Sequence, residues 1–176
     1  MNTRQGFLKS FLVMFFIICL SLLALPETPP AVLEYDMVDD HVVITGLVEE
    51  PKDIVIPSII NDKPVTTIGD RAFANRQNIT TITIPESIIS IGDDAMAGCK
   101  SLEATHVDEN NPYYATADGV IFDKDKSKLI AYPSGKKDEY VAIPNSVTSI
   151  NGNAFSNCTY IQCITMCCIF VYSHVA

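Results

Sequence analysis

The chain has 176 residues, 48% of them apolar and 19% charged, and a formal charge of −9. That apolar share excludes disorder along the whole length. Acids outnumber bases by 21 to 12 and no basic patch is present, which excludes a nucleic-acid binder built on phosphate contacts.

Residues 1–25 read as an export signal. Met1 to Ser10 carries Arg4 and Lys9 and no acid, and Phe11 to Leu25 is apolar almost throughout. Pro26, Glu27, Thr28, Pro29 and Pro30 stop the run. A basic start, a short apolar stretch and a proline-rich stop are the pattern of a secretory leader. The stretch is short of the ~20 residues a spanning helix needs. It lacks a clean small-x-small cleavage site, so an uncleaved anchor is the alternative. Cys19 follows Phe16, Ile17 and Ile18, with none of the small residues a lipoprotein cysteine requires. Pro29 likewise spoils the sortase-like Leu25-Pro26-Glu27-Thr28. Without Arg4 and Lys9 the balance is 10 bases against 21 acids, a net −11. Such a surface favours solubility and disfavours anionic membranes. Residues 26–33 are expected to be a linker.

Residues 34–166 are expected to form one repeat solenoid. It begins with a strand pair, Tyr35 to Val38 and Val42 to Thr45, which closes the first end of the stack. A repeat follows. Val65-Thr66-Thr67-Ile68-Gly69-Asp70-Arg71-Ala72-Phe73 aligns with Ile88-Ile89-Ser90-Ile91-Gly92-Asp93-Asp94-Ala95-Met96 at an offset of 23. A third copy starts at Val147-Thr148-Ser149-Ile150, 59 residues after the second. Ile-Pro opens each unit, at Ile56-Pro57, Ile84-Pro85 and Ile143-Pro144.

One unit can be read physically. Ile82 and Ile84 face one way and Thr81 and Thr83 the other, as on a strand. Pro85 ends that strand because it has no N–H to give to a ladder. Gly92 permits a turn, and Asp93 to Cys99 is expected to be a helical or 3₁₀ turn burying Ala95 and Met96. A single unit leaves its apolar side bare, whereas stacked units cover one another. The fold class is therefore a solenoid of short parallel strands, turns and short helical or 3₁₀ segments. Ile54 to Ile56, Ile82 to Ile84, Thr105 to Val107 and Val141 to Ile143 are expected side by side in one parallel sheet. Phe73, Met96 and Phe155 are expected buried at one corner, beside Ile68, Ile91 and Ile150.

Residues 108–141 interrupt the repeat with an expected β-hairpin. Val120-Ile121-Phe122 goes out, Asp123 to Lys128 turns, and Leu129 to Tyr132 returns. Further on, Ile161 to Met166 matches Ile79 to Ile84, so it is expected to be the final strand, with Ile161 and Ile164 inward. Residues 167–176 are an apolar tail that fits no unit. They would leave an open strand edge and a route to self-association.

The pattern Ile82 to Leu102 (ITIPESIISIGDDAMAGCKSL) and its partner Ala142 to Ile161 (AIPNSVTSINGNAFSNCTYI) resemble the BspA-type leucine-rich repeat of secreted and surface proteins. The insert, with Asn111-Pro112-Tyr113-Tyr114, resembles the hairpin-bearing unit of that family. The chain departs from the pattern at Arg76, which stands where Cys99 and Cys158 stand, and at Asn151-Gly152. What the resemblance implies is a leucine-rich-repeat fold at a secreted or cell-surface location, with adhesion to host or neighbouring-cell proteins.

Asp123-x-Asp125-x-Ser127 starts like a calcium loop, but Lys128 and Ser134 fill its required sixth and twelfth positions. His41, His106 and His174 lack ligand spacing, so no metal or other cofactor is expected. Cys99 and Cys158 share a repeat position two coils apart. At ~4.8 Å per coil that places them ~10 Å from each other, beyond the ~7 Å reach of a disulfide. Both are expected as buried thiols. Cys163, Cys167 and Cys168 carry no C-x-x-C pair. Asn78-Ile79-Thr80 and Asn157-Cys158-Thr159 fit the glycan acceptor pattern. No nucleophile elbow, zinc-protease motif or P-loop occurs, so no catalysis is expected.

What remains is a face. The alternation makes Asp53, Val55, Thr81, Thr83, Ala104, His106, Tyr140 and Ala142 outward residues of the strands, and such a row is where a solenoid meets a partner. The expected partner is an extracellular or host protein, with membrane contact only through an uncleaved leader and no nucleic acid. A structural spacer or fragment of a longer array is the second reading. An exported hydrolase is the third, and no motif supports it.

Overall fold

The computed structural model describes residues 27–166. The leader, the tail, Cys19, Cys167, Cys168 and His174 lie outside them. In chain order the strands are β1 (Leu33–Val38), β2 (His41–Leu47), β3 (Asp53–Val55), β4 (Ile59–Ile60), β5 (Lys63–Ile68), β6 (Thr81–Ile84) and β7 (Ser90–Ile91). They continue with β8 (Ala104–Val107), β9 (Tyr114–Ala117), β10 (Val120–Asp123), β11 (Lys128–Ala131), β12 (Tyr140–Ile143), β13 (Ser149–Ile150) and β14 (Cys163–Met166). They wind into a β-solenoid of about five turns.

The terminal cap forms as an antiparallel pair, β1 on β2, turning at Asp39 with φ 50°. From there β2, β5 and β7 stack in parallel along one side of the coil. On another side β3, β6 and β8 stack in parallel, with Ile54 opposite Ile82 and Ile82 opposite Thr105. Residues 26–33, expected as a linker, are in part packed. Thr28 is buried, its N–H donates to Val55 O at 2.8 Å, and its Oγ1 accepts from Val55 N at 2.7 Å. This segment therefore covers the outer edge of β3.

The third side is a column of corners. The expected helical turns there are consecutive tight turns; among the described residues the 3₁₀ geometry is confined to Pro30–Val32. At each corner alternate amides close turns within the coil, Ala74 N on Arg71 O at 2.9 Å among them, and the intervening amides turn to the next coil. Arg71 N reaches Asp93 O at 3.0 Å, Phe73 N reaches Ala95 O at 2.8 Å and Asn75 N reaches Ala97 O at 2.8 Å. Asn75, Gly98 and Asn157 occupy one repeat position and all have φ between 61° and 77°. That left-handed backbone suits glycine and asparagine. A Cβ on Gly98 would also meet Asn75 Oδ1 at 2.4 Å.

The single four-stranded parallel sheet does not form. β12 pairs with β14, and β8 ends the other sheet. The insert accounts for the break. The expected hairpin forms, β10 antiparallel on β11, and β9 adds antiparallel to β10 to make a three-stranded meander. Its Asp118-Gly119 turn enters between β8 and β12, and Gly119 O accepts both Thr105 N (2.9 Å) and Thr105 Oγ1 (2.6 Å).

The insert also divides the core. Ile121 belongs to the N-terminal cluster, with Phe73, Ile82 and Leu102, while Val120 and Phe122 belong to the C-terminal one, with Leu129, Tyr132 and Val141. β10 is thus buried on both faces, which explains its uninterrupted apolar run. Tyr132 takes the corner place of Phe73: its N–H reaches Ala154 O at 2.8 Å and its ring lies 5.1 Å from that of Phe155. Asn111, fully buried, fastens the insert. Its amide donates to Pro85 O and Ile88 O, each at 2.9 Å, and its Oδ1 accepts from Tyr113 N and Tyr114 N, each at 2.9 Å.

Burial weakens toward the C-terminal end. Phe73 and Met96 are buried as expected, but Phe155 is half-buried, Ile91 is half-buried and Ile150 is 36% exposed. Ile161 packs on the second cluster, whereas Ile164, expected inward, is 43% exposed. Among the described residues no coil stacks beyond β14, so Phe155, Ile150 and Ile164 have a neighbour on one side only, whereas Ile91 lies on β7, where the insert and its Tyr114 hydroxyl meet the stack. Cys99 is buried and its thiol donates to Phe73 O at 2.9 Å. Cys158 is half-buried. The insert's corner lies between them, Ser134 Oγ donating to Cys99 O at 2.7 Å, and both are free thiols. Burial pushes each thiol up to about 11. Arg76, at the same repeat position, ties the N-terminal cap instead, through Glu50 at 3.2 Å and Leu47 O at 3.0 Å.

Two consequences are measurable by urea unfolding. Phe73→Ala should lose ~3–5 kcal/mol of stability and half-buried Phe155→Ala clearly less. Asn111→Ala should cost on the order of 3 kcal/mol, because two buried carbonyls and two amides lose their partner together. An Asn111→Ala chain as stable as the parent would show that the insert is held by packing alone.

Candidate functional site

The outward row is assembled by register. Asp53, Thr81 and Ala104 are direct neighbours across β3, β6 and β8, and Val55, Thr83 and His106 form a second line beside them. Asp53 and His106 are exposed; Val55, Thr81, Thr83 and Ala104 are half-buried. Ala104 is partly covered because Gly119 packs against it: a Cβ on Gly119 would stand 3.0 Å from that of Ala104. The Asp53 carboxylate accepts from Thr81 Oγ1 at 2.7 Å and Thr80 Oγ1 at 2.9 Å. Those two bonds, first Thr81 and then Thr80, lower its pKa.

Tyr140 and Ala142 are brought near the row but not into it. They lie on β12, opposite Cys163 and Thr165 of β14, and Tyr140 is 73% exposed. A cleft of about 180 Å³ separates them from the inserted turn, with Val120, Phe122 and Leu129 among its walls and Lys136 and Asp138 at its side.

Sequence reasoning did not single out the charged group at this cleft. Lys136 is paired with Asp118 and with Asp138 at 2.9 Å, and lies 5.7 Å from the centre of the Tyr132 ring. The Tyr132 hydroxyl donates to Asp138 at 2.5 Å. Burial works against the charged ammonium, but the two carboxylates outweigh it and raise the Lys136 pKa. Tyr132 donating its hydrogen bond, and then Lys136, hold Asp138 below the usual carboxylate range. Burial, then the hydrogen bond it gives to Asp138, pushes the Tyr132 phenol well up. The signal in the sequence was the polar run Lys136-Lys137-Asp138-Glu139 following Pro133-Ser134-Gly135, which reads as any solvated loop.

The calcium-like stretch closes on itself. Asp123 Oδ1 accepts from Ser127 N at 2.7 Å and Lys128 N at 2.9 Å, and Oδ2 accepts from Ser127 Oγ at 2.7 Å. Slight burial would raise the Asp123 pKa, but these bonds lower it. Among the described residues no three His, Cys, Asp or Glu side chains come together to hold a metal. Asn78 is exposed and its amide donates to Glu50 at 3.3 Å; Asn157 is exposed at a left-handed corner.

The fold and its interrupted strand face define a parallel-strand repeat protein. The sequence profile of the BspA type leucine rich repeat region matches six copies, over residues 52–118 and 131–169, more than half of the chain. The chain belongs to that family. Solved structures with a similar fold include the pneumococcal vaccine antigen PcpA, 27% identical with a TM-score of 0.59 over 66% of this chain and 34% of that one. A leucine-rich repeat protein from Bacteroides capillosus ATCC 29799 is 25% identical, with a TM-score of 0.50 over 77% of this chain and 94% of that one. Another from Eubacterium ventriosum ATCC 27560 is 21% identical, with a TM-score of 0.54 over 65% and 41%. The chain therefore spans less than half the length of PcpA and of the Eubacterium protein. No curated protein matches it.

The charged group should show in acid. A carboxylate whose pKa is lower in the folded chain adds stability above its unfolded value, 3.8 for Asp138, and that stability is lost as pH falls through the lower folded value. The thermal midpoint should therefore drop across that window, and Asp138→Asn should flatten part of the drop. For Lys136 the direction reverses. Its contribution is complete below the ordinary 10.5 and is lost as pH rises through the higher folded value. Midpoints recorded against pH for the parent and both Asp138→Asn and Lys136→Met check this.

Proposed function

We propose that the chain is an exported, surface-displayed module that binds a protein partner through its outward strand face and carries no catalysis. One observation carries the reading: register alone sets Asp53 beside Thr81 and Ala104, and Val55 beside Thr83 and His106, as a continuous two-line surface. Its strands are short and stacked, so the side chains are held on a rigid grid, which lowers the ordering cost of binding. Family membership and the basic, apolar leader support a surface location. A similar solved structure described as a vaccine antigen agrees with it.

The test uses surface-protein fractions and the described chain on a biosensor. The parent should retain a defined protein with saturable binding. The double variant Thr83→Arg, His106→Asp changes the centre of the row without touching the core and should abolish that binding while its circular dichroism stays unchanged. Equal binding by parent and variant would remove the strand face from the reading.

A further inference from the structure

The two parallel sheets differ in how their edges are treated. The outer edge of β3 is closed by Thr28, which exchanges two hydrogen bonds with Val55. The far edge of β8 is met by Gly119 O, which takes Thr105 N and Oγ1. The edge of β12 that faces the cleft receives no such cover. Glu139 O accepts from Gln162 N and Cys163 N, and Val141 O from Thr165 Oγ1, so Glu139, Val141 and Ile143 turn their backbone groups toward β14. By strand alternation Tyr140 and Ala142 turn theirs the other way, into the cleft. Among the described residues their N–H and C=O groups have no partner. Both residues are exposed. A row of unpaired backbone groups beside an apolar wall is a template for one more strand.

The charge around that edge selects the occupant. Lys136 is shared by two carboxylates, Asp118 and Asp138, which leaves the group net negative. Glu139 adds a further negative charge at the start of β12, and Lys137 offsets one. The chain from residue 27 onward carries 10 bases against 21 acids. An extended segment with alternating apolar and basic residues would place its apolar side chains toward Val120 and Phe122 and its ammonium groups toward the acidic rim.

We propose that the cleft takes an extended, lysine-bearing segment of the protein partner, which adds as a strand to the free edge of β12 and is held by the backbone groups of Tyr140 and Ala142. This rests on reading the strand face as a protein-binding surface, and it names the mode and chemistry of that binding.

The probe is a short synthetic peptide of alternating lysine and valine, titrated against the full chain and followed by amide hydrogen exchange. Protection should rise at Tyr140 and Ala142. Methylating the peptide's alternate backbone nitrogens removes its donors and keeps its side chains; affinity should fall about tenfold or more, as expected for losing two hydrogen bonds. The glutamate–valine counterpart should not bind. Ala142→Pro removes the donor on the cleft side and spares the ladder to β14, so it should weaken the peptide and leave the far-ultraviolet spectrum unchanged. Should that variant unfold, the methylated peptide still decides. Equal affinity for the methylated and plain peptides, protection confined to Thr81, Thr83 and His106, or no binding at all would each overturn strand addition at β12. The Thr83→Arg, His106→Asp variant with the natural partner separately decides whether the strand face binds protein.

Discussion

Alternate backbone amides at the corners of this chain find their acceptors one coil away. Phe73 N reaches Ala95 O, and Tyr132 N reaches Ala154 O, each at 2.8 Å. Because each coil satisfies the next, no coil is stable alone, and the spacing between coils is fixed by backbone geometry rather than by side-chain size. Small residues at the corners follow from this. The left-handed backbone at Asn75, Gly98 and Asn157 is what turns the chain so that its amides point along the stack.

The insert obeys the same rule in one place and breaks it in another. Tyr132 reproduces the corner, so the column of corners resumes after the interruption. On the strand side the Asp118-Gly119 turn occupies the position where β8 and β12 would have met. It offers one carbonyl, on Gly119, where a strand would offer several groups. The outward face is consequently a three-stranded grid, a gap and a two-stranded grid. The end of the outward row at β8 and the open edge of β12 both follow from that single substitution of a turn for a strand.

Much of the fold was legible because the repeat constrains it. The offset of 23 residues placed β6 against β8 and fixed which side of each strand faces in. The outward row on β3, β6 and β8 followed from alternation alone. What sequence did not show was the relation between the insert and the sheet. The apolar run Val120-Ile121-Phe122 reads as one buried strand, but nothing in it says that Ile121 serves one core and its two neighbours another. Tyr132 looked like the end of a strand because its role as a corner depends on Phe155, 23 residues further on, with a different surrounding pattern. Asn111 and Lys136 act through long-range partners, and polar residues in loops give no periodic signal. The expected depth of Ile150 and Ile164 also failed, since burial at the last coils depends on what lies beyond them.

The division of the core at β10 has a mechanical side. In an uninterrupted solenoid a pull along the axis is shared by every rung of a continuous ladder. Here the strand ladder is cut between β8 and β12, and load crosses the cut through a limited set of contacts: Thr105 with Gly119, Ser134 with Cys99, Gly135 N with Leu102 O at 2.8 Å, the Asn111 amide with Pro85 O and Ile88 O, and Ile91 N with the Tyr114 hydroxyl. Tension between the two ends of a tethered chain would concentrate on those few bonds. The blocks on either side would separate there before either one unravelled, and β12 would be carried away from the rest of the strand face as they did so.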